Sequence, residues 1–345
     1  MTSTAGSERW GTPVPRDPSE AEAFALGEGV WRLRLPLPYK VIRAVNAYVL
    51  RLPDGCCLVD CGTSLAPGWD ALEPALAGAG YAPSDIRVLV ATHSHADHFG
   101  LAATLIARTG CALWCAPGAR NVVDAFRDPS LPLAIRRERA RRAGVPAERI
   151  DDAVAVLDGG DGHHERPAPD RVLREGDVLE AADDAWRVLP APGHAPNHLV
   201  LHAARTGWMI SADLALAGVS PYLEHGYGGD PVAEHLRSVG RALALAPTRL
   251  LPGHGRPVDD PGPVLTGSAD AVRDRLAGLR ARLDDVPRTP YELSLDLAGG
   301  PDPHPDRMQM ALSTTSCDVD HLELTGAARR VVGADGVLGY VRGEG

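Results

Sequence analysis

The segment THSHADH, residues 92–98, places His93, His95, Asp97 and His98 within six positions of a chain that has 13 histidines in 345 residues. Imidazole nitrogen and carboxylate oxygen are donors that divalent zinc and related ions take from proteins, with no need of thiolate. Histidines at i and i+2 on a loop can turn two rings toward one point, while Asp97 and His98 reach a second. The plainer reading is a polar turn whose histidines cap backbone groups. Four donors cannot fill two metal shells, so a true site requires more His or Asp at later loops. The sequence supplies them: His194 in LPAPGHAPNH, Asp213 closing WMISAD and His254 in LLPGHGRP. Each follows an apolar, strand-like run, and their order along one chain favours a site over a set of isolated turn residues.

The elements that must hold these loops are readable from periodicity. IRVLVAT (86–92) is almost wholly apolar, as expected of a strand buried on both faces. Its carboxyl end delivers the histidine loop, the end at which open sheets gather ligands. NAYVLRL (46–52) and CCLVDCG (56–62) flank PDG and form a predicted hairpin. Helical spacing appears over 66–80, over 98–109 with Gly110 as the stop, across much of 117–158, over 232–245 and over 263–284. Further strands are predicted at CALWC, RVL, AWRVLPA, HLVLHAA, GWMISAD and TRLLPG. The alternation predicts an α+β fold of two stacked sheets with helices outside. Residues 1–27 read as a polar arm, 28–285 as the catalytic domain with a helical lid insertion at 117–158, and 286–345 as an appendage. The appendage ends in a hairpin, RRVVGADGVLGYVRG, turning at Ala334–Gly336.

Composition narrows the functional classes. The formal net charge is −10, and residues 290–345 carry nine acidic side chains against four basic ones, a balance that argues against a nucleic-acid partner. No apolar run is long enough to span a membrane, and the N-terminus lacks a secretory pattern, so a cytoplasmic location is expected. The six cysteines are then expected to be reduced and buried.

The ordered set of His and Asp motifs resembles the metallo-β-lactamase superfamily over roughly residues 28–258. The resemblance implies a four-layer αββα sandwich and two divalent metal ions. Zn²⁺ is the default, and Mn²⁺ or Fe²⁺ are alternatives suited to the same donors. It assigns His93, His95 and His194 to one metal and Asp97, His98 and His254 to the other, with Asp213 bridging. Asp60 in LVDCGTS and His198 in the PGHxxxH turn are assigned to supporting positions outside the ligand set. The tail after residue 286 is similar to the small winged-helix-like cap of the β-lactamase-like 2 type branch.

Within that family the complete ligand set, with an aspartate at the bridging position, implies a two-metal hydrolase and not an antibiotic-cleaving member. The implied reaction is cleavage of a thioester, lactone or other ester by a hydroxide held between the metals, with Asp97 and Asp213 able to relay the proton. Tyr222 and Tyr227 are candidates for donating to the oxyanion. In LAIRRERARRAG, Arg137 and Arg141 share a helical face. That face is either a solvated surface or a landing patch for an anionic acyl carrier, such as the phosphate of coenzyme A or an acyl-carrier protein. The competing readings are a phosphodiesterase or endoribonuclease of the same fold, and a metal-binding partner module without turnover. The sequence leaves the acyl group and a homo-oligomeric state open.

Overall fold

The structure is a computed structural model that describes residues 20–117, 130–154 and 167–344. Parts of the lid insertion, 118–129 and 155–158, and most of the N-terminal arm, 1–19, lie outside the described residues. The end of the arm differs from expectation: Glu22–Gly27 is a strand, β1, paired antiparallel with β2 (Val30–Pro36). The strand, EAFALG, is an edge strand with no fully buried residue, and the polar, proline-bearing stretch before it in sequence masked its signal.

The first sheet has seven strands in sequence order. After β1 and β2 come β3 (Ala44–Leu52) and β4 (Gly55–Val59), the predicted hairpin, then β5 (Ile86–Ala91), β6 (Ala112–Cys115) and β7 (Arg171–Val172). From β4 onward the pairing is parallel. The parallel crossovers use helix α1 (Gly68–Gly78), the short turn α2 (Ala96–Phe99) and α3 (Ala102–Thr109). Gly110 closes α3 in the left-handed conformation, φ 70°, as its position predicts.

The second sheet has five strands in the order β12-β11-β10-β9-β8. These are β8 (Val178–Ala181), β9 (Asp184–Pro190), β10 (Leu199–Ala203), β11 (Trp208–Ala212) and β12 (Arg249–Pro252). Strand β8 was not predicted; VLEA is too short to show a period. Helices α4 (Ser130–Arg142) and α5 (Ile150–Val154) precede β7. Helix α6 (Pro231–Ala244) joins β11 to β12, and α7 (Pro261–Arg282) follows β12. The chain ends with α8 (Pro290–Ala298), α9 (Pro305–Leu324) and the hairpin β13 (Ala328–Val332) with β14 (Leu338–Arg342), two helices and a wing.

Strand alternation builds the layers. In β4, Cys57 and Val59 face the second sheet, where they meet Trp186, Val188, Leu201 and Ile210. Their neighbours Cys56 and Leu58 face outward onto Leu72, Leu76 and Leu105 of α1 and α3. In β10, Leu199 and Leu201 face the first sheet, while Val200 packs with Val239 of α6 and Leu265 of α7. The period of two thus puts every inner strand between two apolar layers, giving the αββα sandwich. All six cysteines are buried and free, and burial raises Cys57 and Cys61 well above the ordinary thiol range.

Candidate metal centre

Seven predicted donors converge at one edge of the sandwich, where the ends of β5, β9, β11 and β12 meet. His93 and His95 lie on the loop after β5, His194 after β9, Asp213 after β11 and His254 after β12. One atom each from His93, His95 and His194 lies within 4.8 Å of the others, and the same holds for Asp97, His98 and His254, and for His93, His98 and Asp213.

The second sheet is pinned to the first beneath the site. Asn46 donates to the carbonyls of Pro252 and Gly255 at 2.8 and 2.9 Å, Tyr48 donates to Pro252 at 2.7 Å, and Arg32 donates to Gly255 at 2.8 Å. Three buried donors from β2 and β3 therefore fix the loop that carries His254. Gly253 is required there: a Cβ would run into Asp213 Oδ1 and come within 2.7 Å of His98 Cε1. Asp60 and Ala212, which directly precedes Asp213, adopt positive φ of 62° and 44°. Non-glycine residues in this region carry backbone strain, and here it aims a carboxylate into the site.

The ring orientations follow from the groups around them, and these bonds assign the tautomers. Thr92 Oγ1 donates to Asp60 Oδ2 at 2.8 Å, so it accepts from His93 Nδ1–H at 3.0 Å and His93 Nε2 is left as a lone pair. His194 Nδ1 donates to the Tyr222 carbonyl at 3.1 Å, which makes its Nε2 the lone pair. His95 Nε2 faces the Glu224 carboxylate at 3.3 Å, which makes its Nδ1 the lone pair. Those three unprotonated nitrogens meet: His95 Nδ1 lies 3.0 Å from both His93 Nε2 and His194 Nε2. In the second trio, His98 Nδ1 donates to Asp60 at 2.7 Å and His254 Nδ1 donates to the Ala44 carbonyl at 2.7 Å. Their Nε2 atoms therefore turn toward Asp97 and Asp213.

Lone pairs packed this closely repel one another unless a cation lies among them. His98 Nε2 and Asp213 Oδ1 are also buried without a hydrogen-bond partner, 3.5 Å apart. The donor set therefore fits divalent metal ions, with His93, His95 and His194 suited to one, Asp97, His98 and His254 to another, and Asp213 within 3.5 Å of His194, His98 and His254. Electrostatics agree. Burial, reinforced by neighbouring histidines, lowers His93 well below the ordinary imidazole value and His194 to about 4. Burial acts the same way on His98 and His254, but Asp213 and Asp97 outweigh it and raise His98 strongly and His254 to about 10. The same pairs hold Asp97 and Asp213 below the carboxylate range against the opposing pull of burial. Those protons sit where a cation can take their place.

The supporting residues fall outside the trios. Asp60 accepts from Thr92 and His98. His198 Nε2 accepts from the backbone N–H of Asp213 at 3.2 Å, so it steadies the carboxylate and does not join the first trio. Glu224 was missed by sequence reasoning; it lies between the two flagged tyrosines, Tyr222 and Tyr227, on a loop with no periodicity, and only that place could have drawn notice. Thr92 was also missed. His235 is a core residue bonded to Ser268 at 3.0 Å.

A cavity of about 520 Å³ opens from the centre. Tyr222 and Tyr227 line it, Tyr222 with its ring beside His95 and His194 and its phenol bonded to Ser313. Arg137 and Arg141 do not line it. Arg137 pairs with Asp151 at 2.8 Å, while Arg141 bonds Glu138 and the Asp335 carbonyl. The shared face predicted for them exists but points away from the cavity. Arg136, Arg139 and Arg142 of the same helix line it instead. The C-terminal appendage also lines it, through Met310, Ser313 and Tyr340.

The superfamily profile described as Metallo-beta-lactamase superfamily matches residues 42–254, the span that carries every residue of both trios. The chain belongs to the metallo-beta-lactamase superfamily. It is 29% identical over 311 residues to the Bacillus subtilis (strain 168) protein named probable metallo-hydrolase YqjP, covering 86% of this chain and 92% of that one. It superposes with a TM-score of 0.80 on the crystal structure of metallo-beta-lactamase family protein TTHA1429 from Thermus thermophilus, at 28% identity and covering 92% of this chain and 100% of that one. A shorter match, 34% identical over 116 residues, is to hydroxyacylglutathione hydrolase GloC of Haemophilus influenzae, covering 33% of this chain and 43% of that one. The chain is thus a superfamily metallo-hydrolase with His and Asp groups placed to hold metal. Among the described residues no helix is long and apolar enough to cross a membrane.

Proposed function

We propose that the protein is a dinuclear metal-dependent hydrolase of an acyl thioester, acting on a small-molecule or carrier-bound acyl group. The observation that carries this reading is the convergence of three imidazole lone pairs beside two buried carboxylates at the floor of a largely apolar cavity. When bound, two divalent ions supply an activated water and polarise the scissile carbonyl. Asp97 and Asp213 remain ionised among the histidines and can take up and pass on the proton released in attack. Glu224 holds His95, and Asp60 holds both His98 and the Thr92 turn, so ring positions do not shift as charge develops. Val41, Ile42, Leu216 and Val219 line the approach and suit an acyl chain. The preference for a thioester draws support from matches to two hydroxyacylglutathione hydrolases, from Haemophilus influenzae and Chelativorans sp., whose named substrate is a thioester.

The test is a purified-protein assay on a thioester, a lactone and bis-p-nitrophenyl phosphate, with and without chelator. Chelator-sensitive turnover of the thioester ahead of the other two is expected. Preference for the phosphodiester would replace this reading with a phosphodiesterase. No turnover of any of the three by metal-loaded protein would favour a partner module.

A further inference from the structure

Helix α4 places its arginines in two electrical environments. On the outer side, Arg137 and Arg141 are each matched by a carboxylate, Asp151 and Glu138. On the cavity side, Arg136, Arg139 and Arg142 have no carboxylate partner among the described residues; Arg139 donates to the Gly226 carbonyl at 2.8 Å. At about 100° per residue, those three arginines and the buried Ala140 and Ala143 fall within an arc of about 160°, and Arg137 and Arg141 fall outside it. The alanines share one apolar cluster with Val145, Ala153, Tyr291, Met308 and Leu312, and Tyr291 N–H donates to the Ala143 carbonyl at 2.9 Å, so the inward arginines are held at the cavity wall.

The cavity's own carboxylates are all engaged elsewhere. Asp97 and Asp213 face the metal trio, and Glu224 faces His95. Asp320 is shared by His225, Arg330 and Tyr340, and Asp306 accepts from the backbone of Lys40 and His304 lies beside it. Among the described residues, none of these three guanidiniums is therefore closed off by an ion pair with a cavity carboxylate, in a chain whose net charge is −10. Arg136 lines the same cavity as His95, His194, Tyr222 and Glu224, on the wall shared with the metal centre.

We infer that Arg136 and Arg142, with Arg139 between them, form a subsite for a phosphate group at the non-reacting end of the substrate. This rests on the ester-cleaving reading for the other end of that substrate, while the subsite itself concerns only anion binding. Several guanidiniums on one short arc offer forked donors to several oxygens at once, which suits phosphate. The phosphate can belong to a nucleotide diphosphate, as in a soluble coenzyme thioester, or to a phosphopantetheine.

The experiment measures binding by calorimetry to metal-loaded protein, using ADP and 4′-phosphopantetheine against adenosine and pantetheine. Wild type, an Arg136→Gln/Arg142→Gln double variant and an Arg137→Gln/Arg141→Gln double variant are compared at equal metal content. The phosphorylated probes should bind wild type about tenfold or more tightly than their dephosphorylated counterparts. That preference should fall about tenfold in the inward variant and stay within about twofold in the outward one. Tighter ADP than phosphopantetheine marks the nucleotide source, and the reverse order marks the pantetheine source. A preference kept in the inward variant places the phosphate at the metals and overturns the subsite. Equal loss in both variants reduces it to long-range charge and overturns the subsite as well. Absence of thioester turnover by wild type would overturn the ester reading separately and leave a positive binding result standing.

Discussion

The metal-facing and the cavity-facing halves of the site are built by different means. The metal-facing half consists of side chains on short loops at the ends of buried strands. Each ring there is oriented by a polar partner: Asp60, Thr92, the Ala44 carbonyl, the Tyr222 carbonyl or Glu224. The cavity-facing half is assembled from α4, the 216–227 loop and the C-terminal appendage, segments far apart in sequence. Exposed contacts such as Arg149 with Asp302 join its parts, and one buried pair, Arg275 with Asp318, locks them. Arg275 also donates to Ser220 at 2.8 Å and to the Pro221 carbonyl, tying the loop beside the metals to α9. Chemistry is thus fixed by short-range geometry, and recognition by long-range packing.

Substitutions can separate the two halves. Asp97→Ala removes a carboxylate that His98 and His254 both face, so turnover should fall by on the order of 10³ or more, with loss of one metal equivalent, read by kinetics and metal analysis. Retention of both metals would mean that Asp97 is not a ligand. Asp318→Ala strikes the other half: it leaves Arg275 buried and unpaired, and should cost about 3–5 kcal/mol in denaturant unfolding. Metal content should survive, and its loss would show that the halves are not separable. Glu224→Gln sits at the junction and should weaken metal affinity or activity by about 10–100-fold, measured by competition with a chelator. His198→Ala should have the smallest effect on turnover, about tenfold, because the residue reaches the centre only through the Asp213 backbone.

The same division governs what the sequence discloses. The motif donors, the strands that carry them and the layered fold are legible because local spacing and a period of two specify them. In the structure Asp60 lies against His98, His194 against His95, and His198 against the Asp213 backbone. The cavity wall is not legible in this way. Spacing shows that Arg137 and Arg141 share a face, but not toward what; the burial of Ala140 and Ala143 in a cluster with Ala153, Tyr291 and Met308 decides that, and it turns Arg136, Arg139 and Arg142 inward. Glu224 gains its role only through the tertiary approach of its loop to His95. Strands β1 and β8 were lost for local reasons, β1 because it closes a polar, proline-bearing stretch and β8 because it has only four residues.

The account rests on two metal positions formed by the two trios. Anomalous diffraction from crystals of zinc-loaded protein, recorded above and below the zinc absorption edge, locates them without reference to any substrate. Two peaks about 3.5–4 Å apart are expected, one among His93, His95 and His194 and the other among Asp97, His98 and His254, with Asp213 between them. A single peak, or peaks bound by His198 in place of His194, would contradict the assignment.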